Sequence, residues 1–424
     1  MAVHVVNWGD TLWGISNAYR VPITVIKEFN GLTSDLLMPG LALFMPDPSF
    51  PVRYYTIQTG DTLWQIAQRF HTSVELIFQA NPGIAVQNLT IGQVLTIPTL
   101  DKYPMEILAF VDAFVPGSIS EKLGRYSESI TYLAVFTYTV TPSGSLSGLD
   151  DRQLVREIRS YDIEPLMVVS NYAEGTFSPE LADQVLEENI RGNMVNSIVA
   201  MVRDKGYSGV SLDFEFIPPE RRADFTAFVS ELKRALGEQI LHVNVFSKTR
   251  DMPSNPFAGA FDYAAIGQYA DIVTVLTYDY GYAAGPPDPI APIWWVDQVV
   301  RYASGLIPET KLMIAIALFG YDWITPDQPD VDARSLPALD AQTQALNNYA
   351  IIHYDSQAQS PYYTYSENGQ QRVVWFEDIR SVEAKYRLLE SYGLLGASFW
   401  RFRYGFPQNW AYLARNIDVI KKDS

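Results

Sequence analysis

A chain of 424 residues, 48% hydrophobic and 19% charged, is long enough for one large domain with smaller companions and apolar enough to bury a substantial core. Its formal net charge of −17 disfavours nucleic acid and anionic membrane surfaces as partners, and the lack of cysteine excludes a disulfide framework and a thiol nucleophile. No apolar run reaches bilayer-spanning length, and "MAVHVVNWGDTLW" has no basic stretch followed by an apolar segment of the kind that directs secretion.

The N-terminal region is a repeat. "VHVVNWGDTLWGISNAYRVPITVIKEFNG" returns as "YYTIQTGDTLWQIAQRFHTSVELIFQANPG", and "LLMPGLALFMPDP" returns as "NLTIGQVLTIPTL". Each copy predicts a short strand and then a helix opened by "GDTLW". Asp10 or Asp61 stands as N-cap, with Leu12, Ile15 and Tyr19, or Leu63, Ile66 and Phe70, at helical spacing. A second short helix and a closing strand complete a βααβ unit of about fifty residues, near the lower limit for independent folding. The copies span 1–48 and 53–99, and "PDPSFP" (Pro46–Pro51) reads as a stiff linker between them.

From residue 103 to 424, eight β-rich runs alternate with amphipathic helical stretches, beginning with "MEILAFVDAF" and ending with "GLLGASFW". That alternation predicts an α/β chain of the (β/α)8 TIM-barrel type. A long interval at about 324–378 contains "YYTYSENGQQRVVWFED", which alternates like a hairpin around an Asn-Gly turn. It predicts a small α+β insertion before the last strand.

The fourth run, "GVSLDFEF", carries two acids in an otherwise apolar strand. Alternation puts Asp213 and Glu215 on one face with Ser211, and two adjacent buried carboxylates are costly unless one holds a proton. Barrel enzymes gather their functional groups at the C-terminal ends of strands. Those ends here offer Asn171 after the third strand, Tyr278, Asp279 and Tyr280 after the sixth, Trp323 after the seventh and Trp400 at the eighth. His4, His71, His242 and His353 are scattered, with no H-E-x-x-H metal motif and no G-x-S-x-G elbow.

The two repeats resemble the LysM module, which implies binding of N-acetylglucosamine-containing glycans such as peptidoglycan or chitin. The resemblance places the glycan in a groove between two loops: Gly9, Asp10, Thr11 and Leu12 with Met38 and Gly40, and Gly60, Asp61, Thr62 and Leu63 with Ile91 and Gly92. For Asp10 and Asp61 a role in the fold is favoured over one in binding. The barrel resembles glycoside hydrolase family 18, whose fourth strand reads D-G-x-D-x-D-x-E. "SGVSLDFE" keeps Gly209, Asp213 and Glu215, with Ser208 and Ser211 where the family has aspartates, so the proton-sharing inner aspartate is missing. "LTYDY" and Trp400 match the family's substrate-contacting sixth and eighth strands.

That resemblance implies retaining, substrate-assisted cleavage with Glu215 as acid, Asp213 and Tyr278 around the substrate's acetamido group, and no metal or organic cofactor. Within the family, "LFGYDW" and "FPQNW" look closest to LysM-bearing enzymes that degrade spore-cortex peptidoglycan, implying a protein of the spore cortex, coat or cell wall. The alternatives are chitin as substrate and a chitinase-like lectin without activity.

Overall fold

The computed structural model describes residues 2–46, 50–84, 89–113, 119–326 and 333–422; positions 47–49 of the proline-rich linker and 327–332 of the insertion lie outside them. In the first repeat, Ala2–Val5 pairs antiparallel with Ala42–Met45 around the helices Leu12–Tyr19 and Ile23–Asn30. The second has the same plan, with Val52–Thr56 against Val94–Pro98 and helices Leu63–Arg69 and Val74–Ala80. The N-caps fall one residue later than the sequence suggests. Thr11 accepts from Gly14 N–H and Thr62 from Gln65 N–H. Asp10 and Asp61 instead reach backwards to accept the backbone N–H of Asn7 and Gln58, each at 2.7 Å, and so close the preceding loop. Helix start and loop closure compete for the same short polar side chains, and an Asp-Thr pair serves both.

Eight parallel strands then form the barrel: β1 (Tyr103–Asp112), β2 (Tyr132–Thr139), β3 (Glu164–Ser170), β4 (Gly209–Asp213), β5 (Ile240–Phe246), β6 (Ile272–Leu276), β7 (Leu312–Ala317) and β8 (Gly396–Trp400). Each pairs with the next, and β8 closes on β1 with Gly396 opposite Glu106 and Phe399 opposite Ala109. Their outward Val, Ile and Leu side chains join the helices in one continuous core. Among the described residues no helix is long and apolar enough to cross a membrane.

Between β7 and β8 lies a five-stranded antiparallel sheet, in the order Arg334–Pro337, Phe319–Thr325, Gln370–Trp375, Ser360–Glu367, His353–Asp355, with the helix Ala338–Asn347. The sheet begins at Phe319 rather than near 324, because "LMIAIALFGYDW" is one apolar run with no punctuation where the chain leaves the barrel. Asn368 and Gly369, at φ 52° and 80°, make the tight turn of its central hairpin.

Both repeats are docked on this assembly. The strand Ala42–Met45 is buried along its whole length: Leu43 and Met45 lie in a core that the first repeat shares with the insertion, while Ala42 and Phe44 join the barrel's. The loop before it is seated on the insertion, where Ile352 N–H donates to Pro39 O at 3.0 Å, and on the barrel helix that follows (Ile379–Tyr392), where Arg380 donates to Gly40 O at 3.1 Å. The second repeat is held by its first strand, with the Tyr54 hydroxyl donating to Glu383 and Arg53 paired with Glu390.

Gly40 and Gly92 occupy equivalent turns at φ 85° and 84°. A Cβ at Gly92 would meet nothing within 4 Å, whereas one at Gly40 would lie 1.7 Å from the carbonyl oxygen of Ile352. Gly92→Ala is expected to cost about 1–2 kcal/mol, the left-handed penalty alone. Gly40→Ala must in addition force the first repeat off the insertion, so thermal melts should place it well below Gly92→Ala; equal losses would show that the contact is not maintained.

Candidate active site

A cleft of about 590 Å³ opens at the C-terminal ends of the barrel strands, and Asp213, Glu215, Tyr278, Asp279 and Trp400 all border it. Asp213 ends β4 at 5% exposure, and Glu215 comes two residues later, as strand alternation requires. Burial pushes Asp213 up to about 7, against the pull of the Asn244 amide, which donates to its Oδ1 at 3.0 Å. Glu215 is held well above the ordinary carboxyl range, chiefly by burial and then by the charges of Asp213 and Asp279. The pair therefore favours a protonated Glu215 near neutral pH.

Ser211 does not reach Asp213's carboxylate. Its Oγ is hydrogen-bonded to Nδ1 of His242 at 2.8 Å, and Nε2 of His242 to Thr274 Oγ1 at 2.8 Å. Complete burial lowers His242 to about 3, so this track beneath the acids is neutral. The position that would share a proton with Asp213 is thus tied into an uncharged chain, and Asn244 is the hydrogen-bond partner Asp213 has among the described residues.

The flanking strands complete the walls. Tyr278 stands edge-on to Phe319 at 5.8 Å, its hydroxyl without a hydrogen-bond partner among the described residues. Asp279, at φ 58°, keeps part of its surface open to the cleft; the protein packed around its carboxyl raises it to about 6, while the Tyr321 hydroxyl, donating at 3.0 Å, pulls the other way. Trp400 lies across Phe110 and Phe136, with ring centres 5.6 and 5.2 Å away. Arg401 beside it pairs with Asp112 and donates to Tyr404 at 2.6 Å.

Three expected contacts are placed elsewhere. Asn171 is 0% exposed, and its amide clamps the backbone behind the acid: it accepts from Glu215 N–H at 3.0 Å and donates to Glu215 O at 2.8 Å and Ser178 O at 2.9 Å. A loop segment with no ladder neighbour needs such a partner. Asn171→Leu would orphan those groups, and a loss of about 3 kcal/mol in denaturant unfolding is expected; a loss of less than about a tenth of that would refute the clamp. Trp323, 2% exposed, donates its indole N–H to Gly285 O at 2.9 Å and belongs to the packing below the cleft. Tyr280 packs on Trp294 and Trp295 outside the cleft lining.

In the repeats, Leu12, Leu63 and Met38 are core residues, and the Asp10 and Asp61 carboxylates are engaged by their own loops. Gly40 N–H donates to Val6 O as Gly92 N–H does to Ile57 O, so Pro39, not Met38, is the counterpart of Ile91. Asn244 and Tyr321 join the site without being among the residues the sequence points to. Asn244 carries the same signal as the acids, a polar side chain on the inward parity of an apolar strand, "LHVNVF". Among the described residues no group of three or more His, Asp or Glu side chains is set to hold a metal ion.

Two buried acids of raised pKa, an uncommitted tyrosine and an aromatic wall at the mouth of a parallel barrel define a glycoside-hydrolase site. Comparison with known proteins agrees. Residues 123–405 match the model of glycosyl hydrolases family 18, and 4–46 and 55–98 each match the LysM domain. The chain belongs to glycosyl hydrolases family 18. It is 31% identical to the cortical fragment-lytic enzyme of Bacillus subtilis, covering 100% of this chain and 99% of that one. It superposes on the crystal structure of the Bacillus cereus spore cortex-lytic enzyme SleL with a TM-score of 0.86 at 29% identity, covering 100% and 99% of the two chains. A Chromobacterium violaceum chitinase matches 74% of this chain and 98% of its own, with a TM-score of 0.68 and 27% identity.

Proposed function

We propose that this glycoside hydrolase cleaves N-acetylglucosaminyl bonds of spore-cortex peptidoglycan, with net retention, while its LysM repeats bind the same wall glycan and keep the protein on the cortex or wall. The observation that carries the chemistry is the Asp213–Glu215 pair, with Glu215 raised by burial and by its neighbour's charge. Glu215 gives its proton to the glycosidic oxygen as the bond to the anomeric carbon breaks. The substrate's own acetamido oxygen forms a bond to that carbon, giving an oxazolinium ion and dispensing with an enzymic nucleophile. Asp213 receives the acetamido N–H and balances the new positive charge, and the free hydroxyl of Tyr278 donates to the acetamido oxygen. Glu215 then takes a proton from the water that opens the ring. Asp279 and Trp400 contact the sugar. With Ser211 committed to His242, Asp213 has no acid on that side to take its proton, which leaves Glu215 as its acidic neighbour.

Full-length likeness to cortex-lytic enzymes, repeats included, supports peptidoglycan over chitin as substrate. Mass spectrometry of products from cortex peptidoglycan and from chitin tests the proposal. New reducing ends on N-acetylglucosamine, with peptidoglycan cut faster, are expected. Muramic acid reducing ends would rule out acetamido assistance from N-acetylglucosamine, and faster turnover of chitin would reassign the substrate.

A further inference from the structure

The two repeats share a backbone but present it differently. In each, the loop before the last strand is pinned at the same place, by Gly40 N–H to Val6 O or Gly92 N–H to Ile57 O. Beyond that glycine the copies diverge in sequence and in surroundings. "LMPGLALFM" is apolar at every position after its glycine, and Leu41, Ala42 and Phe44 are buried. "LTIGQVLTI" puts Gln93, Val94 and Thr96 at those places, and Gln93 and Val94 are exposed.

The carbonyls diverge with them. Pro39 O and Gly40 O are both taken by the catalytic unit, through Ile352 and Arg380. Ile91 O and Gly92 O have no hydrogen-bond partner among the described residues, and the Ile91 side chain is 63% exposed. Open backbone carbonyls beside an exposed apolar side chain are what an acetamido sugar requires, since its N–H and hydroxyls donate and its methyl seeks apolar cover. At Gly40 even a methyl group has no room, with the Ile352 carbonyl in its place.

We infer that the repeats have divided their work: the second, through the wall at Ile91–Gly92, is the copy that holds an N-acetylglucosamine-type glycan, and the first is a fixed part of the catalytic unit whose matching wall is closed by the insertion. This rests on reading the repeats as glycan binders, and the test separates the two claims. In the full-length chain, Ile91→Asp is compared with Trp8→Asp, which changes the most exposed side chain on the first copy's remaining open loop. Both side chains project into solvent, so both variants keep the fold, and melting checks this. Ile91→Asp is expected to weaken co-sedimentation with insoluble peptidoglycan at least tenfold, and Trp8→Asp less than twofold. An equal or greater loss for Trp8→Asp overturns the division while leaving glycan binding in place. Full binding by both variants overturns glycan binding by these grooves, and the inference with it.

Discussion

Replacing Glu215 by glutamine is expected to lower turnover by about two to four orders of magnitude, the usual contribution of a general acid, with KM little changed. The substitution is nearly isosteric, and Asn171 grips the backbone N–H and C=O of residue 215 rather than its carboxyl, so the side chain stays at the cleft. What disappears is the proton. The same reasoning fixes the pH profile of the parent enzyme. Glu215 must start protonated, so activity falls as pH rises through its raised pKa, and the fall lies well to the alkaline side of an ordinary glutamate's range. Turnover by Glu215→Gln within tenfold of the parent would remove the assignment.

Asp213→Asn is expected to trade activity for stability. Losing the carboxylate that faces the acetamido group should cost about a hundredfold in turnover, the scale for one preorganised electrostatic contact. It also removes a negative charge that holds Glu215 up, so the alkaline fall in the residual activity should move to lower pH. Stability should move the other way. The folded protein raises Asp213 from 3.8 to about 7, so folding favours its protonated form. That contribution is complete below about pH 4 and is lost as pH rises through 7, where the fold must bury a charge. At about 1.4 kcal/mol per unit the difference is of order 4 kcal/mol. Asparagine carries no such charge. Variant and parent should therefore melt together near pH 4, with the variant several degrees higher at pH 8. A parent at least as stable as the variant at pH 8 would mean that folding does not raise the pKa of Asp213.

The barrel is legible because its strands are long apolar runs divided by helices with clear start and stop signals. The acid pair is legible because two carboxylates at strand spacing break such a run. Other features depend on contacts between distant segments. Parity along "LFGYDW" places Phe319, Tyr321 and Trp323 on one face, but only the path of the strand out of the barrel decides that Tyr321 borders the cleft and Trp323 lies beneath it. Asn171 stands at a strand end, where a substrate contact is the natural reading; its work on the Glu215 backbone arises from the loop lying across it. The neutral His242 track is hidden for the same reason, since Ser211, His242 and Thr274 come from three strands whose register the sequence does not state. The caps at Thr11 and Thr62 lie one residue from the expected positions because adjacent Asp and Thr can each take either role.

The two-sided strand Ala42–Met45 has a further consequence. A wall-binding repeat joined by a linker invites treatment as an interchangeable bead, to be shortened, swapped or multiplied without touching the enzyme it accompanies. Here that freedom is missing at the first bead. A catalytic fragment begun after residue 98 would bare the apolar seat of Phe44 and is expected to clump, so in this chain the first repeat is best kept with the barrel.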